Sequence, residues 1–152
     1  MASEEIPYQR ARFSTRLRGD RLYTAGHYWL RKEVDDLWHV GFTRFAIRML
    51  GEAVEMGFEV DRGAEIASGQ VVGWIEGFKA VSDLYAPTAG RFEGGNPELE
   101  KDMALFKKDP YERGWLFALR GTPGEGCLDP RGYVAVLDAT IDKMLGQRHD
   151  GA

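Results

Sequence analysis

A chain of 152 residues with 43% hydrophobic and 12% aromatic content is long enough for one packed core and short for two. Its formal charge of -4 gives no general attraction to phosphate backbones, so nucleic-acid binding is excluded as an expectation. One cysteine and no long apolar run set aside an internal disulfide and a membrane span, which leaves a soluble, cytoplasmic protein as the expectation.

The first segment, residues 1–22, carries five arginines between Arg10 and Arg21 but also Glu4 and Glu5, and no apolar stretch of a secretory signal. It satisfies the arginine-rich, acid-poor pattern of a transit peptide only by half. A solvated N-terminal extension is expected, with a docking arm for an acidic partner as the alternative. From Tyr28 to Gly41, aromatic and β-branched residues predict two short strands around a turn near Asp35-Asp36. Thr43 to Leu50 then reads as one or two helical turns, capped by Thr43 and stopped by Gly51.

Beyond it, Gly57, Gly63, Gly69, Gly73 and Gly77 interrupt short apolar runs, a spacing that predicts the turns of a small barrel or sandwich. The runs "GQVVGWIEG" and "KAVSDLYAP" are expected as facing strands across a tight turn at Gly77-Phe78, with Lys79 at or beside that turn. Asn96 and Pro97 predict a short helix by capping, and Trp115 to Leu119 a last strand. The stretch "TPGEGCLDPRG" reads as loop. After it, Val134, Leu137, Ile141, Met144 and Leu145 share one helical face, with Gly146 as the stop. That helix is expected to cover the barrel, or else to dock a partner.

Few residues offer chemistry. His27, His39 and His149 have no motif around them, and no His/Cys/Asp spacing of a zinc site occurs, so no metal is expected. Cys127 lies in a Gly/Pro loop, where an ordinary cysteine outweighs a reactive thiol. "GRFEGG" lacks the Lys-Ser/Thr of a phosphate loop, and the carboxylates of "PELEKD" complement a helix dipole. On these grounds the chain is a noncatalytic, mainly β domain. Lys79 is the exception, a single amine at the centre of an apolar hairpin.

The residues around Lys79 resemble the lipoyl-attachment site of glycine cleavage H-proteins. Glu76 stands three residues before the lysine, Ala80 follows it, Ser82-Asp83 and Gly90 fall in register, and Gly63 lies sixteen before it. The likeness extends through "HYW", "GFTRFAIRMLGE" and "DPYERGWLF", covering roughly residues 23–120, with residues 121–152 as an added loop and C-terminal helix. The resemblance implies a barrel-sandwich hybrid of two small antiparallel sheets. It also implies lipoate held covalently as N6-lipoyllysine at Lys79, attached by lipoate-protein ligase-type enzymes. Glu76, Gly63 and Gly90 would serve ligase recognition or turn support, and Gly26, His27, Tyr28 and Asp83 would line a cleft for the arm. A lysine with its lipoyl chain reaches on the order of 15 Å by ordinary bond lengths. Methionines flank the lysine of biotin carriers, and Phe78 and Ala80 argue against that cofactor.

Two departures bear on the cargo. Where the family has His-Glu-Trp this chain has Tyr28 in the middle, and Gly26 replaces a serine, so an aminomethyl ammonium loses its main counter-charge. These changes and the added tail resemble the lipoate-binding proteins of bacterial dissimilatory sulfur oxidation. They imply a carrier of sulfur-bound intermediates working with a heterodisulfide-reductase-like complex in the cytoplasm. The alternatives are an H-protein of glycine cleavage, partnered by glycine decarboxylase and aminomethyltransferase, and an unlipoylated adaptor.

Overall fold

The computed structural model describes residues 4–150, with side chains to Gln147. In chain order it runs β1 (Glu5–Arg10), β2 (Phe13–Arg18), β3 (Leu22–Tyr23), β4 (Tyr28–Lys32), β5 (Leu37–Phe42), α1 (Arg44–Leu50), β6 (Ala53–Phe58), β7 (Glu65–Ile66), β8 (Val71–Gly77) and β9 (Val81–Tyr85). There follow β10 (Gly90–Gly95), α2 (Pro97–Lys101), α3 (Leu105–Lys108), β11 (Phe117–Arg120) and α4 (Pro130–Asp150). A six-stranded sheet in the order β3-β4-β5-β11-β10-β7 faces a three-stranded sheet β6-β8-β9, while β1 and β2 form a separate hairpin. All pairings are antiparallel. The mainly β, two-sheet expectation therefore holds, and no helix among the described residues is long and apolar enough to cross a membrane.

Local chemistry accounts for most boundaries. Asp35, at φ 52°, takes the left-handed conformation that lets β4 return as β5. The Thr43 hydroxyl accepts from the Ala46 amide at the start of α1, and Gly51, at φ 83°, ends it. The glycines between β6 and β9 divide into two kinds. Gly63 and Gly69 sit in turns at positive φ, whereas Gly57, Gly73 and Gly77 lie in strands. Gly73 is there because a Cβ would fall 2.2 Å from the Gly57 carbonyl oxygen, so close strand approach rather than a turn demands it. The last strand begins at Phe117, two residues later than expected, although the Leu116 amide already donates to the Val40 carbonyl at 2.7 Å. A second short helix, α3, follows the expected α2.

Two apolar clusters fill the interior. The larger lies between the sheets and includes Leu30, Val40, Val72, Ile75, Leu84 and Phe117, all with essentially no exposed surface. The second joins β1–β2, the back of β4 and α4 through Leu17, Tyr23, Trp29, Phe45, Tyr133 and Leu137. This corrects the expectation of a solvated extension: Tyr8, Phe13 and Leu17 are buried, one hairpin face at period two. Its arginines are largely spoken for. Arg10 donates to Asp142 in bidentate geometry at 2.8 Å, Arg16 and Arg18 face Glu5, and buried Arg21 binds the Tyr111 carbonyl, Glu112 and Asp20.

The C-terminal helix also differs from expectation. It starts at Pro130, because Asp129 accepts from the Gly132 amide and Pro130 occupies the first helical position, the same chemistry as Asn96-Pro97. It runs through Gly146 to Asp150. Its buried stripe is Tyr133, Leu137 and Ile141, while Met144 is 38% exposed. Tyr23 and Tyr133 stack with ring centroids 4.8 Å apart and planes within 9°.

Because α4 completes a core, replacing Leu137 by alanine is expected to lower stability by about 2–5 kcal/mol, against less than about 0.5 kcal/mol for Lys143→Ala on the exposed face. Urea midpoints at constant slope measure both, and a chain ending at Arg120 should unfold at lower urea than either.

Candidate functional site

The turn between β8 and β9 is held by another element. The Gly77 amide donates to the Ala80 carbonyl at 2.8 Å, but the Phe78 amide donates to Glu52 at 3.1 Å and the Lys79 amide to Leu50 at 2.9 Å. These carbonyls lie at or just past the end of α1, where helical oxygens lack internal partners. The turn thus closes on the helix, and β9 begins at Val81 rather than at Lys79. Gly77 makes the approach possible, since a Cβ there would lie 2.3 Å from the Leu50 oxygen. Lys79 is exposed within the turn, and its ammonium donates to the Arg48 carbonyl at 2.9 Å, at the negative end of α1. Phe78 beside it is 75% exposed.

Next to the turn lies a groove of about 340 Å³, lined by Gly26, His27, Phe42, Phe45, Met49 and Ser82 among others. His27 stands at φ 69° and its Nδ1 is 2.8 Å from the Tyr133 hydroxyl, which lies 2.7 Å from the Thr43 hydroxyl. This chain ties the groove to α4 and to the cap of α1. Burial pushes the His27 pKa down to about 4, so the imidazole is neutral at pH 7.

The four residues expected to line an arm cleft separate in space. Gly26 and His27 line the groove. Tyr28, the next residue on the strand, turns inward: it is buried against Phe42, and its hydroxyl accepts from the Tyr85 amide at 2.8 Å. Burial pushes its pKa up to about 12. Asp83 is exposed and does not line the groove, because its neighbour Ser82 does and strand side chains alternate. Nearby, Asp83 contributes only a small upward push on Tyr28.

Glu76 is exposed one residue before the end of β8, opposite Val81. Gly63 and Gly90 serve another region. Gly63 donates to the Phe92 carbonyl, and Gly90 pairs with Ile66 where a Cβ would lie 2.5 Å from the Arg120 oxygen. The glycines bearing on the turn are Gly77 and Gly51, with Phe45 and Met49 as groove walls that only the periodicity of α1 could have suggested. Cys127 is half-buried with its thiol pKa raised by burial, the opposite of an activated nucleophile. His39 stacks on Trp115 at 3.7 Å and lies 2.6 Å from Glu33, a structural arrangement. The His149 side chain lies outside the described residues, among which no group of three metal-ligating side chains occurs.

A family model described as glycine cleavage H-protein matches residues 21–126. The chain is 42% identical over 124 residues to the glycine cleavage system H protein of Mycolicibacterium smegmatis, covering 78% of this chain and 94% of that one. It is 38% identical over 120 residues to that of Bacteroides fragilis, covering 77% and 94%. The crystal structure of a glycine cleavage system H protein from Mycobacterium marinum is similar with TM-score 0.69 at 32% identity, over 78% of this chain and 97% of that one. The family match leaves out the β1–β2 hairpin and α4.

Two outcomes test the geometry. Gly77→Ala is expected to cost about 1–3 kcal/mol and to speed hydrogen exchange at the Lys79 amide, since the turn must lift from Leu50. His27 has a folded pKa below its unfolded value, so its contribution to stability is present above about pH 6.5 and is lost as pH falls toward 4. His27→Asn, which tolerates the same backbone conformation, should flatten that part of the stability profile in urea titrations between pH 7 and 4.

Proposed function

Since the chain belongs to the glycine cleavage H-protein family, whose members carry a lipoyl group on a lysine and have no catalytic activity of their own, we propose that Lys79 is the lipoylated residue. The observation that carries this is the turn itself. It presents one exposed amine on a backbone fixed by the Leu50 and Glu52 carbonyls. A ligase needs such an amine at a reproducible place, and the exposed Glu76 and Phe78 offer it a charged and an apolar contact. Acylation replaces the ammonium by an amide that retains one N–H, so the bond to the Arg48 carbonyl can persist while the charge is lost. The attached dithiolane then alternates between disulfide and dithiol, or holds a group on one sulfur.

For the cargo, the names and coverage of the relatives support glycine cleavage; in this reading the arm passes an aminomethyl group from glycine decarboxylase to aminomethyltransferase in the cytoplasm. This reverses the order of preference drawn from Gly26 and Tyr28. One observation keeps the sulfur reading as second: the groove at His27 is lined by neutral His27, Ser82 and apolar residues with no carboxylate, and Glu52, in the hollow that Lys79 itself lines, is already paired with Lys107 at 3.4 Å. In that reading the arm carries sulfur-bound intermediates to a heterodisulfide-reductase-like complex.

Intact mass of protein from a lipoylation-competent host should show one lipoyl adduct that maps to Lys79 and disappears in Lys79→Arg. No adduct would favour the unlipoylated adaptor. With the adduct present, glycine-dependent carbon dioxide exchange reconstituted with glycine decarboxylase and aminomethyltransferase is the expected result. Failure of that exchange, together with loss of sulfane-sulfur oxidation on gene deletion, would decide for the sulfur reading.

A further inference from the structure

A larger groove adjoins the first across a ridge of Phe45 and Met49, which line both. It measures about 810 Å³ and is walled by Phe13, Phe45, Met49, Ile141, Met144 and Leu145. Its walls come from the β1–β2 hairpin, α1 and α4, so two of its three sides are elements outside the family match. Met49 and Met144 are 47% and 38% exposed there, a sulfur-rich apolar surface. Over it stand Arg12 and Arg48. Neither pairs with a carboxylate among the described residues.

The groove is continuous with the Lys79 turn. The Arg48 carbonyl holds the Lys79 amine, and the hollow beside Lys79 is lined by Phe13 and Arg48, which also line the groove. Arg48 fixes the junction by donating to the Arg12 carbonyl at 3.0 Å and by lying 5.8 Å from the centre of the Phe13 ring. Phe45, Arg48 and Met49 occupy one face of α1 over about 6 Å of helix axis. A lipoyl chain extends about 10 Å beyond the lysine nitrogen by ordinary bond lengths, which spans that face.

We infer that this groove is a resting site for the unloaded lipoyl arm, distinct from the smaller groove at His27, with the aliphatic chain along Phe13 and Phe45 and the sulfurs between Met49 and Met144. The inference rests on lipoylation of Lys79. Charge complementarity favours this occupant over a loaded one: the guanidiniums of Arg12 and Arg48, which meet no carboxylate among the described residues, stabilise a thiolate of the reduced arm and repel an aminomethyl ammonium. The hairpin and α4 therefore give this chain a place to hold its empty arm that the family fold alone does not build.

The test uses the full lipoylated chain carrying Met144→Cys and Cys127→Ser. The thiolate introduced at position 144 attacks one ring sulfur of the oxidised arm; the ring S–S bond breaks, a mixed disulfide forms, and the second sulfur leaves as a thiolate that takes a proton. Alkylating that thiol with iodoacetamide freezes the product for peptide mapping. At micromolar protein, an intramolecular link between the Lys79 arm and position 144 is expected at least tenfold above that from a Val34→Cys control, because tethering raises the effective thiol concentration. Yields equal to the control overturn the inference, whereas absence of the lipoyl adduct in the intact mass overturns the lipoylation reading instead. In the unsubstituted chain, lipoylation should shift the methyl resonances of Met49 and Met144 and leave Met56 and Met103 in place. Unshifted Met144 overturns the inference.

Discussion

The pair of backbone hydrogen bonds from Phe78 and Lys79 to the end of α1 is the constraint on which the rest depends. Helix ends carry carbonyls without intrahelical partners, and buried or half-buried ones need donors. Here the donors come from a hairpin distant in sequence, so one set of bonds both finishes α1 and immobilises the turn. The approach is close enough that only glycine fits at position 77. As a result the exposed amine of Lys79 is mobile only through its own side chain, and everything it can reach is set by the faces of α1.

Those faces are in turn fixed by the second core. Phe45 packs with Phe13 edge to face at 5.4 Å and with His27 at 4.6 Å, so the hairpin and the His27 loop meet on the same helix. Tyr133 closes the arrangement. Its ring stacks on Tyr23 while its hydroxyl lies within hydrogen-bond distance of both Thr43 and His27. A residue on the added helix therefore helps cap α1 and orients the imidazole in the groove. The extensions and the family domain thus share one buried cluster around α1.

Much of this was legible in the chain. Alternation and turn chemistry located the β4–β5 hairpin, Thr43 and Gly51 bounded α1, Asn96-Pro97 began α2, and the pattern around Lys79 named the family. The errors have specific physical origins. The extension over residues 1–22 reads as solvated because its arginines dominate, although Tyr8, Phe13 and Leu17 lie on one hairpin face and are buried once α4 supplies the opposite wall. The start of α4 was hidden in a Gly/Pro loop although Asp129-Pro130 repeats the chemistry recognised at Asn96-Pro97. The family pattern groups Tyr28 and Asp83 with Gly26 and His27, but strand alternation sends Tyr28 inward and Asp83 away from the groove.

By itself, then, the sequence determined the β-rich architecture and the family, and it singled out Lys79 as the amine proposed for modification, since local propensities and a motif of contiguous residues carry that information. What faces that amine was decided only in three dimensions. Whether the space beside Lys79 offers a carboxylate, a neutral imidazole, methionine sulfur or a free guanidinium depends on which strands alternate inward and on how the two terminal elements meet α1. Those contacts join residues separated by most of the length of the chain, and no local signal encodes them.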